Sequence, residues 1–303
     1  MGDKLKDKVA VITGSGSGIG KAEAIAMAQE GARVVTNNRK PGSEGGDAEI
    51  TASQIQGMGG EAVPFFGDVS DFETARKLIQ TAVDNFGKID ILVNNAGISR
   101  RTPIWETTEQ EFDDVIRIHV KGTFNCIRHA CGIMMEQKWG RIINTSSLVW
   151  LRNANYGSYA MAKAGMIGFT RTIAMDLKEH GITCNAIAPI ARSRMMGDAE
   201  SIASFTKMYE AGLITKSYYE LATNPPAPET VPPLVLYLCT DEAASITGNL
   251  FRIIGGHIAH CWLPVDRTCI DKADGLWTVA ELAEKVPEVL FEGYKDPTEL
   301  LPT

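Results

Sequence analysis

Along most of this chain, short apolar runs alternate with longer segments in which apolar residues recur at helical spacing. The short runs are mostly apolar and rich in β-branched residues, a pattern typical of parallel strands buried on both faces of a sheet. Seven such runs occur, at residues 9–12, 33–36, 62–66, 89–93, 141–144, 183–187 and 250–254. Their alternation with helical segments predicts an α/β fold, a doubly wound parallel sheet of seven strands with helices on both faces.

Two segments depart from this alternation. Residues 191–229 form a long interruption with several aromatic and methionine side chains before the seventh run. We predict a helical substrate flap beside a ligand crevice; an extra packed helix pair without a gating role is the alternative. Farther on, Thr278 and Glu281 form a capping-box pattern that predicts one helix in a tail. The predicted domains are therefore residues 1–265 and a C-terminal extension at 266–303.

The bulk composition argues against several classes of partner. A net charge of −7, spread along 303 residues, gives no basic footprint for nucleic acid and no polybasic strip for an anionic membrane. No apolar run reaches the length of about eighteen residues that a membrane helix needs, and the N-terminal run is too short for a secretory segment. We therefore expect a cytoplasmic protein with a small-molecule partner. The six cysteines form no CxxC pair, which predicts buried thiols and no metal site.

A glycine-rich segment follows the first predicted strand directly. It reads Gly14-xxx-Gly18-x-Gly20 and runs into a helical pattern at residues 21–30. Glycines let the backbone approach a pyrophosphate closely, and a helix N-terminus offers N–H groups and a positive dipole to the anion. We therefore predict a dinucleotide site, against the alternative of an ordinary glycine-rich turn. The contacts predicted here are Gly14, Ser15, Ser17, Gly18 and Ile19.

The end of the second predicted strand bears on the choice of cofactor. A carboxylate at this point accepts the ribose hydroxyls of NAD, whereas the sequence reads Asn37-Asn38-Arg39-Lys40. Asn38 does not repel a 2′-phosphate, and Arg39 can pair with one. NADP is therefore the predicted cofactor. NAD is the alternative if Arg39 and Lys40 are only solvated loop residues.

Four ordered motifs, the glycine segment among them, resemble those of the short-chain dehydrogenase/reductase family. The other three are Asn94-Asn95-Ala96-Gly97, Ser146-Ser147 and Tyr159-xxx-Lys163. The resemblance covers about residues 5–265 and implies a Rossmann-like fold and a nicotinamide-dependent oxidoreductase of CH–OH groups. It also implies further cofactor contacts, from Asp68, Val69, Asn95, Ala96, Gly97, Tyr159, Lys163, Pro189 and Ile190.

Tyr159 is the predicted catalytic acid/base. Tyr159 and Lys163 are four residues apart, so on a helix both side chains project from one face. An ammonium and the positive nicotinamide of an oxidised cofactor both favour the phenolate of a side chain whose pKa is ordinarily about 10. The resemblance implies that Lys163 also holds the cofactor ribose. The alternative, Tyr156 facing the site, lacks a lysine at this spacing.

The family's catalytic serine falls on either of two positions. Its hydroxyl donates a hydrogen bond to the substrate oxygen, in the manner of an oxyanion donor. Counting forward from the strand run at 140–143 gives Ser147, and counting back from Tyr159 gives Ser146. Because a deletion is absorbed more easily in a loop than in a buried strand, Ser147 is preferred.

His119 stands where the family usually has an asparagine that completes a water-linked proton relay. An imidazole can carry a proton as well, which makes His119 a candidate catalytic residue; a satisfied core histidine is the equal alternative. Pro189 and Ile190 replace the Pro-Gly of many relatives. The backbone N–H of Ile190 remains for the nicotinamide amide.

Local runs such as residues 117–124 and 182–189 look like the (3R)-hydroxyacyl-CoA dehydrogenase units of type 2 peroxisomal multifunctional enzymes and their bacterial relatives. This resemblance implies an acyl-CoA or steroid-like alcohol as substrate, and a homotetramer or homodimer packed through helices near 109–137 and 156–179. A dehydrogenase of free alcohols or ketones and a non-catalytic cofactor-binding subunit are the alternatives. Candidates to meet CoA phosphates, if they are not merely solvated, are Arg100, Arg101, Arg192 and Arg194.

Overall fold

The structure, a computed structural model, describes residues 2–42, 46–151, 155–261, 268–273 and 276–290. Contacts divide the chain into two compact units, Met1–Cys261 and Trp262–Thr303. The domain boundary predicted between residues 265 and 266 falls outside the described residues. No helix within the described ranges has both the length and the apolar content to cross a membrane.

The first unit is built on one sheet. Its strands are β1 (Val9–Ile12), β2 (Arg33–Asn38), β3 (Ala62–Phe66), β4 (Ile91–Asn94), β5 (Gly140–Thr145), β6 (Ile182–Ile190), β7 (Leu250–Ile254) and β8 (His257–Cys261). They lie in the order β3-β2-β1-β4-β5-β6-β7-β8, and the first seven pair in parallel. This order confirms the predicted doubly wound fold, in which ligands bind at the carboxyl ends of the central strands.

The predicted count of seven strands is wrong by one, because β8 returns antiparallel to β7. Gly255 and Gly256 form a two-residue turn between the strands, in which Gly255 takes a φ of 55° and Ile254 pairs with His257. Glycine adopts this left-handed conformation without steric cost. Since β8 is an edge strand with exposed polar residues, its sequence lacks the buried apolar run that marks the other strands.

Helices cover both faces of this sheet. They are α1 (Gly18–Gln29), α2 (Ala48–Gly57), α3 (Phe72–Phe86), α4 (Glu109–Ile116), α5 (Gly122–Gln137), α6 (Gly157–Leu177), α7 (Ala199–Glu210), α8 (Lys216–Thr223) and α9 (Pro232–Leu238). Ala10 and Ile12 of β1 pack with α1, α2 and α9, whereas Val9 and Val11 pack with α3, α5 and α6. Alternate residues of each strand therefore enter opposite layers of the core. Single turns of π-helix or 3₁₀-helix occur at Arg117–Lys121, Val149–Leu151, Lys178–His180 and Pro228–Thr230.

The predicted flap is helical and consists mainly of α7 and α8. Phe205, Met208 and Ala222 of these helices form a separate apolar cluster with Val149 and Tyr156. The flap thus packs on the segment that precedes α6, and whether it gates the cleft stays a prediction.

The second unit contains helix α10 (Val279–Lys285) followed by a π-helical turn at Val286–Leu290. Thr278 and Glu281 make the reciprocal capping box at the start of α10, as the sequence predicts. The Nζ atom of Lys272 lies 2.7 Å from the Glu281 carboxylate. Polar contacts within the tail therefore define where its helix begins.

Candidate active site

The carboxyl ends of the central strands open into a cleft of about 500 Å³. Predicted site residues that line this cleft are Gly14, Ser17, Gly18, Ile19, Asn38, Arg39, Asp68, Val69, Asn95, Ala96, Gly97, His119, Ser146, Ser147, Tyr159, Lys163, Pro189 and Ile190. Ser15 is the predicted contact that does not line it. Its buried hydroxyl donates to the Ile12 carbonyl and accepts the Asn37 N–H, so Ser15 stabilises the turn from beneath.

The glycine segment forms a cradle that side chains would fill. Gly14 has a φ of 68°, and a Cβ on it would lie 2.8 Å from the Ala96 Cα. The Thr13 hydroxyl accepts the N–H groups of Asn95 and Ala96, each at 3.0 Å, which ties this turn to the end of β4. The Ser17 side chain makes no capping hydrogen bond at the N-terminus of α1. These features fit the pyrophosphate of a dinucleotide.

The end of β2 presents an amide where an acid is usual for NAD. The Asn38 side chain lies against Gly16, and its buried Oδ1 has no hydrogen-bond partner within the described residues. A ribose hydroxyl can satisfy such an oxygen. Arg39 lines the cleft, and its side chain is exposed to solvent. Both positions are therefore compatible with a nicotinamide nucleotide.

Asp47 lies beside the same turn and was not predicted from the sequence. A Cβ on Gly16 would lie 2.6 Å from the Asp47 Cα. Asp47 caps α2, because its carboxylate accepts the N–H of Ile50 at 3.0 Å and that of Gly42 at 2.7 Å. These hydrogen bonds hold the pKa of the Asp47 carboxyl below its usual range. Its negative charge is thus engaged with backbone donors near the predicted ribose site.

Tyr159 and Lys163 project from one face of α6 into the cleft. The Lys163 Nζ lies 5.5 Å from the centroid of the Tyr159 ring and donates to the Thr145 carbonyl. Burial lowers the pKa of Lys163 to about 7. The amine is therefore only partly protonated at neutral pH, and the ammonium support predicted for the phenolate is weaker than its spacing suggests.

The Tyr159 phenol is strongly biased toward its neutral form. Burial raises its pKa, and the nearby Tyr218 raises the pKa further. The charge of Arg101 and a hydrogen bond with Ser147 act in the opposite direction. At neutral pH the phenol consequently carries a proton that it can donate.

The two adjacent serines have different partners. The Ser146 hydroxyl is buried and donates to the Lys163 carbonyl at 2.7 Å. The Ser147 hydroxyl accepts the Val149 N–H at 3.2 Å, and it lies near enough to the Tyr159 phenol to lower the pKa of that group. A substrate oxygen that meets the Tyr159 hydroxyl is therefore also within reach of Ser147, which favours Ser147 as the catalytic serine.

His119 packs directly on the tyrosine. It lies in the π-helical turn at Arg117–Lys121, and its ring meets Tyr159 edge-on with centroids 5.2 Å apart. Gly97 leaves room for the ring, since a Cβ there would overlap it. The His119 Nε2 lies 2.7 Å from the Ile98 carbonyl oxygen. Burial lowers the pKa of His119 well below its usual value, and the charge of Lys163 lowers it further, so the imidazole is neutral at physiological pH.

Arg101 is a cleft residue whose role the sequence did not reveal. Its Nε donates to the Tyr156 hydroxyl at 2.7 Å, and an Nη donates to the Met195 carbonyl at the start of the flap. The guanidinium also lies 4.4 Å from the centroid of the Phe205 ring. Arg101 thus links the loop after β4 to the flap. Tyr156 lines the same cleft as Tyr159. No local pattern predicts its hydrogen bond with Arg101, because the two residues are far apart in the sequence.

The structure also gives the surroundings of Asp68 and of the arginines considered for CoA phosphates. Asp68 accepts hydrogen bonds from the Ser70 N–H at 2.9 Å and from Arg117 at 2.9 Å. Among the arginines considered for CoA phosphates, Arg101 and Arg194 line the cleft. The Arg101 guanidinium is held by hydrogen bonds to Tyr156 and Met195, whereas the Arg194 side chain is exposed to solvent.

Three comparisons with known proteins bear on this site. A family model described as short chain dehydrogenase matches residues 8–201. The chain is 37% identical to Peroxisomal multifunctional enzyme A of Dictyostelium discoideum over 98% of this chain and 63% of that protein. It is 36% identical to a 3-oxoacyl-[acyl-carrier-protein] reductase of Synechocystis sp. over 84% of this chain and 98% of that protein. The crystal structure of a short chain dehydrogenase from Mycobacterium avium matches with a TM-score of 0.79 and 37% identity, over 95% of each chain.

The chain spans only part of several relatives. It covers from 26% to 63% of the length of the peroxisomal multifunctional enzymes and hydratase-dehydrogenase-epimerases that it matches. By contrast, it covers nearly the whole reductase from Synechocystis sp.. The chain therefore resembles one part of each multifunctional relative and nearly the full length of the reductase.

Proposed function

This chain belongs to the short-chain dehydrogenase family, and from that membership we propose that it interconverts a secondary alcohol and a ketone on a 3-hydroxyacyl-CoA or 3-oxoacyl-CoA thioester. As a family member it is an oxidoreductase that acts on CH–OH groups with a nicotinamide nucleotide. The observation that carries the proposal is the convergence of Tyr159, Lys163 and Ser147 on one cleft beside the glycine cradle.

We assign the proton transfer to Tyr159. When a nicotinamide nucleotide is bound, it supplies the hydride donor or acceptor. In ketone reduction the neutral phenol donates its proton to the carbonyl oxygen as hydride reaches the carbon. In alcohol oxidation the phenolate must form first, which burial makes costly. Ser147 donates a hydrogen bond to the same oxygen and stabilises the charge that develops there.

The remaining residues bind and orient the reactants in this proposal. Gly14, Ser17, Gly18 and Ile19 hold the pyrophosphate at the N-terminus of α1. Lys163 holds the ribose, and the backbone N–H of Ile190 meets the nicotinamide amide. Pro189 lies beside it. His119 is a neutral neighbour of Tyr159 and keeps the ring in position; a proton relay through it is the second role open to it.

The remaining residues proposed to contact the cofactor lie at or after the carboxyl ends of β2, β3 and β4. Asn38 and Arg39 meet the adenosine ribose. Asp68 and Val69 border the adenine, and Asn95, Ala96 and Gly97 flank the nicotinamide ribose. We propose NADP as the preferred cofactor, because Arg39 can pair with a 2′-phosphate and Asn38 carries no charge to repel it. NAD is the alternative.

A thioester substrate is supported by the relatives. The Synechocystis relative is named for a 3-oxoacyl group on acyl carrier protein, and the Dictyostelium relative is a peroxisomal multifunctional enzyme. A steroid-like alcohol is the second candidate, because Phe205 and Tyr218 of the apolar flap cluster line the cleft. Location in the cytoplasm stays a prediction, since several relatives are peroxisomal by name.

Hydride transfer tests the proposal directly. The protein is mixed with NADP or NAD and a panel of 3-hydroxyacyl-CoA thioesters, 3-hydroxy steroids and free secondary alcohols, and formation of reduced nicotinamide is followed by absorbance. We expect turnover of thioesters that falls by 10²–10⁴-fold, roughly, in Tyr159→Phe. Turnover of free alcohols alone contradicts the thioester assignment. Tight cofactor binding without turnover of any compound supports a non-catalytic subunit.

A further inference from the structure

Arg252 is a cleft residue on β7 that the proposed chemistry does not use. It pairs in register with Ala188 of β6, and both residues line the cleft. Two residues earlier on the same strand face, Leu250 packs with Ala186 and Ala188, and Leu148 packs on that cluster. Because alternate residues share a face, Arg252 continues this row toward the carboxyl edge of the sheet, where the reacting groups lie.

The guanidinium of Arg252 makes little use of its five donors. Its Nη2 lies 3.1 Å from the His257 Nε2, and its buried Nε has no hydrogen-bond partner within the described residues. Within the described residues, no carboxylate forms an ion pair with Arg252. Among the described residues, the half-buried Arg252 is therefore a cation without a counter-ion, at the wall of the cleft.

Two other arginines of this unit that are buried or half-buried, Arg141 and Arg117, are paired within the fold. Arg141 is buried and donates to the carbonyl oxygens of Gly140, Gly181 and Thr240. Arg117 pairs with Asp68 and Asp114. Burial of a charged group is costly unless that group is paired, so the buried Nε of Arg252, which lacks a partner within the described residues, indicates an anionic ligand.

We infer that Arg252 binds a carboxylate or phosphate group of the substrate and thereby selects an anionic substrate. Planar guanidinium forks match the two oxygens of such groups. This assignment rests on the proposed dehydrogenase function, because it names a substrate class for the same site. It departs from the arginines at positions 100, 101, 192 and 194, which the sequence suggested for phosphate.

The position of β7 separates this site from the cofactor phosphates. Four strand spacings lie between β7 and β1, whose turn carries the glycine cradle, which amounts to about 19 Å. Only two spacings, about 10 Å, lie between β7 and β5, which ends beside Ser147. An anion on Arg252 is therefore nearer to Ser147 and the reacting carbon than to the pyrophosphate cradle, which favours a carboxylate near that carbon over the distant phosphates of CoA.

Matched substrates test this inference. The substrates are 3-hydroxyglutaryl and 3-hydroxybutyryl thioesters, which differ by one carboxylate, each as the CoA and as the N-acetylcysteamine derivative. Arg252→Gln is compared with Arg171→Gln, which removes one exposed charge from α6 outside the cleft. We expect Arg252→Gln to lower kcat/KM for both glutaryl thioesters by at least about tenfold and for the butyryl pair by less than about threefold. Arg171→Gln should keep the wild-type ratio.

The remaining outcomes are equally informative. A selective loss for both CoA thioesters, without a difference between glutaryl and butyryl, places a CoA phosphate on Arg252. An equal change with all four compounds, or no change, overturns the inference. Binding of glutarate to the protein with NADPH, measured by calorimetry, gives an answer without turnover: we expect at least tenfold weaker binding in Arg252→Gln, roughly, and unchanged binding overturns the inference. Discrimination of glutarate without hydride transfer to any substrate refutes the dehydrogenase proposal alone.

Discussion

The Ser146 hydroxyl donates its hydrogen to the backbone carbonyl of Lys163 at 2.7 Å. This bond fixes β5 to α6 and directs the Ser146 hydroxyl to a backbone acceptor. Ser147, one residue later, keeps its side chain beside the Tyr159 phenol. The two serines therefore have separable roles, one in holding the helix and one at the reacting oxygen.

Replacement of these serines should give opposite results. We expect Ser147→Ala to lower kcat by 10²–10³-fold, roughly, because the developing negative charge loses a donor. Ser146→Ala should lower the free energy of unfolding by about 1 kcal/mol and have the smaller effect on kcat. Single-turnover hydride transfer and urea unfolding measure the two quantities. A larger loss of kcat in Ser146→Ala assigns the catalytic role to Ser146.

The two directions of the reaction should differ in their dependence on pH. Burial raises the pKa of Tyr159, so its neutral form persists well above pH 7. We expect ketone reduction to be independent of this group over neutral pH, and alcohol oxidation to rise with pH as the phenolate becomes accessible. Initial rates in both directions, measured as pH profiles of kcat/KM, check this expectation. An oxidation rate that declines from neutral to alkaline pH contradicts it.

Arg101 should influence the pH at which kcat/KM for alcohol oxidation rises. Its charge lowers the pKa of Tyr159, and its hydrogen bonds hold Tyr156 and the flap. In Arg101→Met we expect the oxidation profile to move to higher pH, with a higher KM because the flap loses its link. Arg128→Met, an exposed change on α5, is the matched control. A profile that stays in place while KM rises would limit Arg101 to the flap.

Cofactor preference should depend on the end of β2. Arg39→Ala is expected to lower kcat/KM with NADP by about tenfold and to leave the value with NAD nearly unchanged, because only NADP has the 2′-phosphate. Asn38→Asp introduces a carboxylate that repels this phosphate and accepts ribose hydroxyls, so we expect a shift toward NAD. The ratio of kcat/KM for the two cofactors is the measurement. A native enzyme that prefers NAD refutes the proposed cofactor.

Glu23 should make stability depend on pH. It is fully buried on α1, its carboxylate has no hydrogen-bond partner among the described residues, and burial raises its pKa from 4.5 to about 8. Between these values the folded state keeps a proton that the unfolded state releases. The contribution of Glu23 is therefore fully present below pH 4.5 and is lost as pH rises toward 8.

Glu23→Gln removes this titration. From pH 5 to pH 8 we expect the wild-type protein to lose stability relative to Glu23→Gln by up to about 1.4 kcal/mol per pH unit. Glu49→Gln, an exposed change on α2, should keep the wild-type slope. Urea unfolding at several pH values measures the slopes. Equal slopes in the wild type and Glu23→Gln contradict the assigned cause.

Self-association should involve the outer faces of α5 and α6. Phe124, Met161 and Met175 on these helices are large apolar side chains that the chain itself leaves exposed. The predicted homotetramer or homodimer would bury them, since extended apolar surface commonly marks an interface. We expect Phe124→Glu to shift the mass in light scattering toward the monomer. A wild-type protein that is monomeric at micromolar concentration contradicts the prediction.

Local patterns in the sequence determined a large part of this protein. The apolar runs place the first seven strands, since a buried parallel strand needs a continuous apolar sequence. The Gly14 to Gly20 spacing places the cradle, and the four-residue separation of Tyr159 and Lys163 places both side chains on one helix face. Each of these features depends only on neighbours within a few residues, which is why the sequence alone predicts it.

Tertiary structure decided what depends on distant partners and on depth. The separate surroundings of Ser146 and Ser147 follow from how β5 meets α6, and the link from Arg101 to Tyr156 joins residues far apart in the chain. Burial depth, which no local pattern fixes, gives Lys163 a pKa of about 7 and leaves the Arg252 Nε without a hydrogen-bond partner among the described residues. The sequence thus determined the types of chemical group at the cleft, and packing determined their charge and their partners.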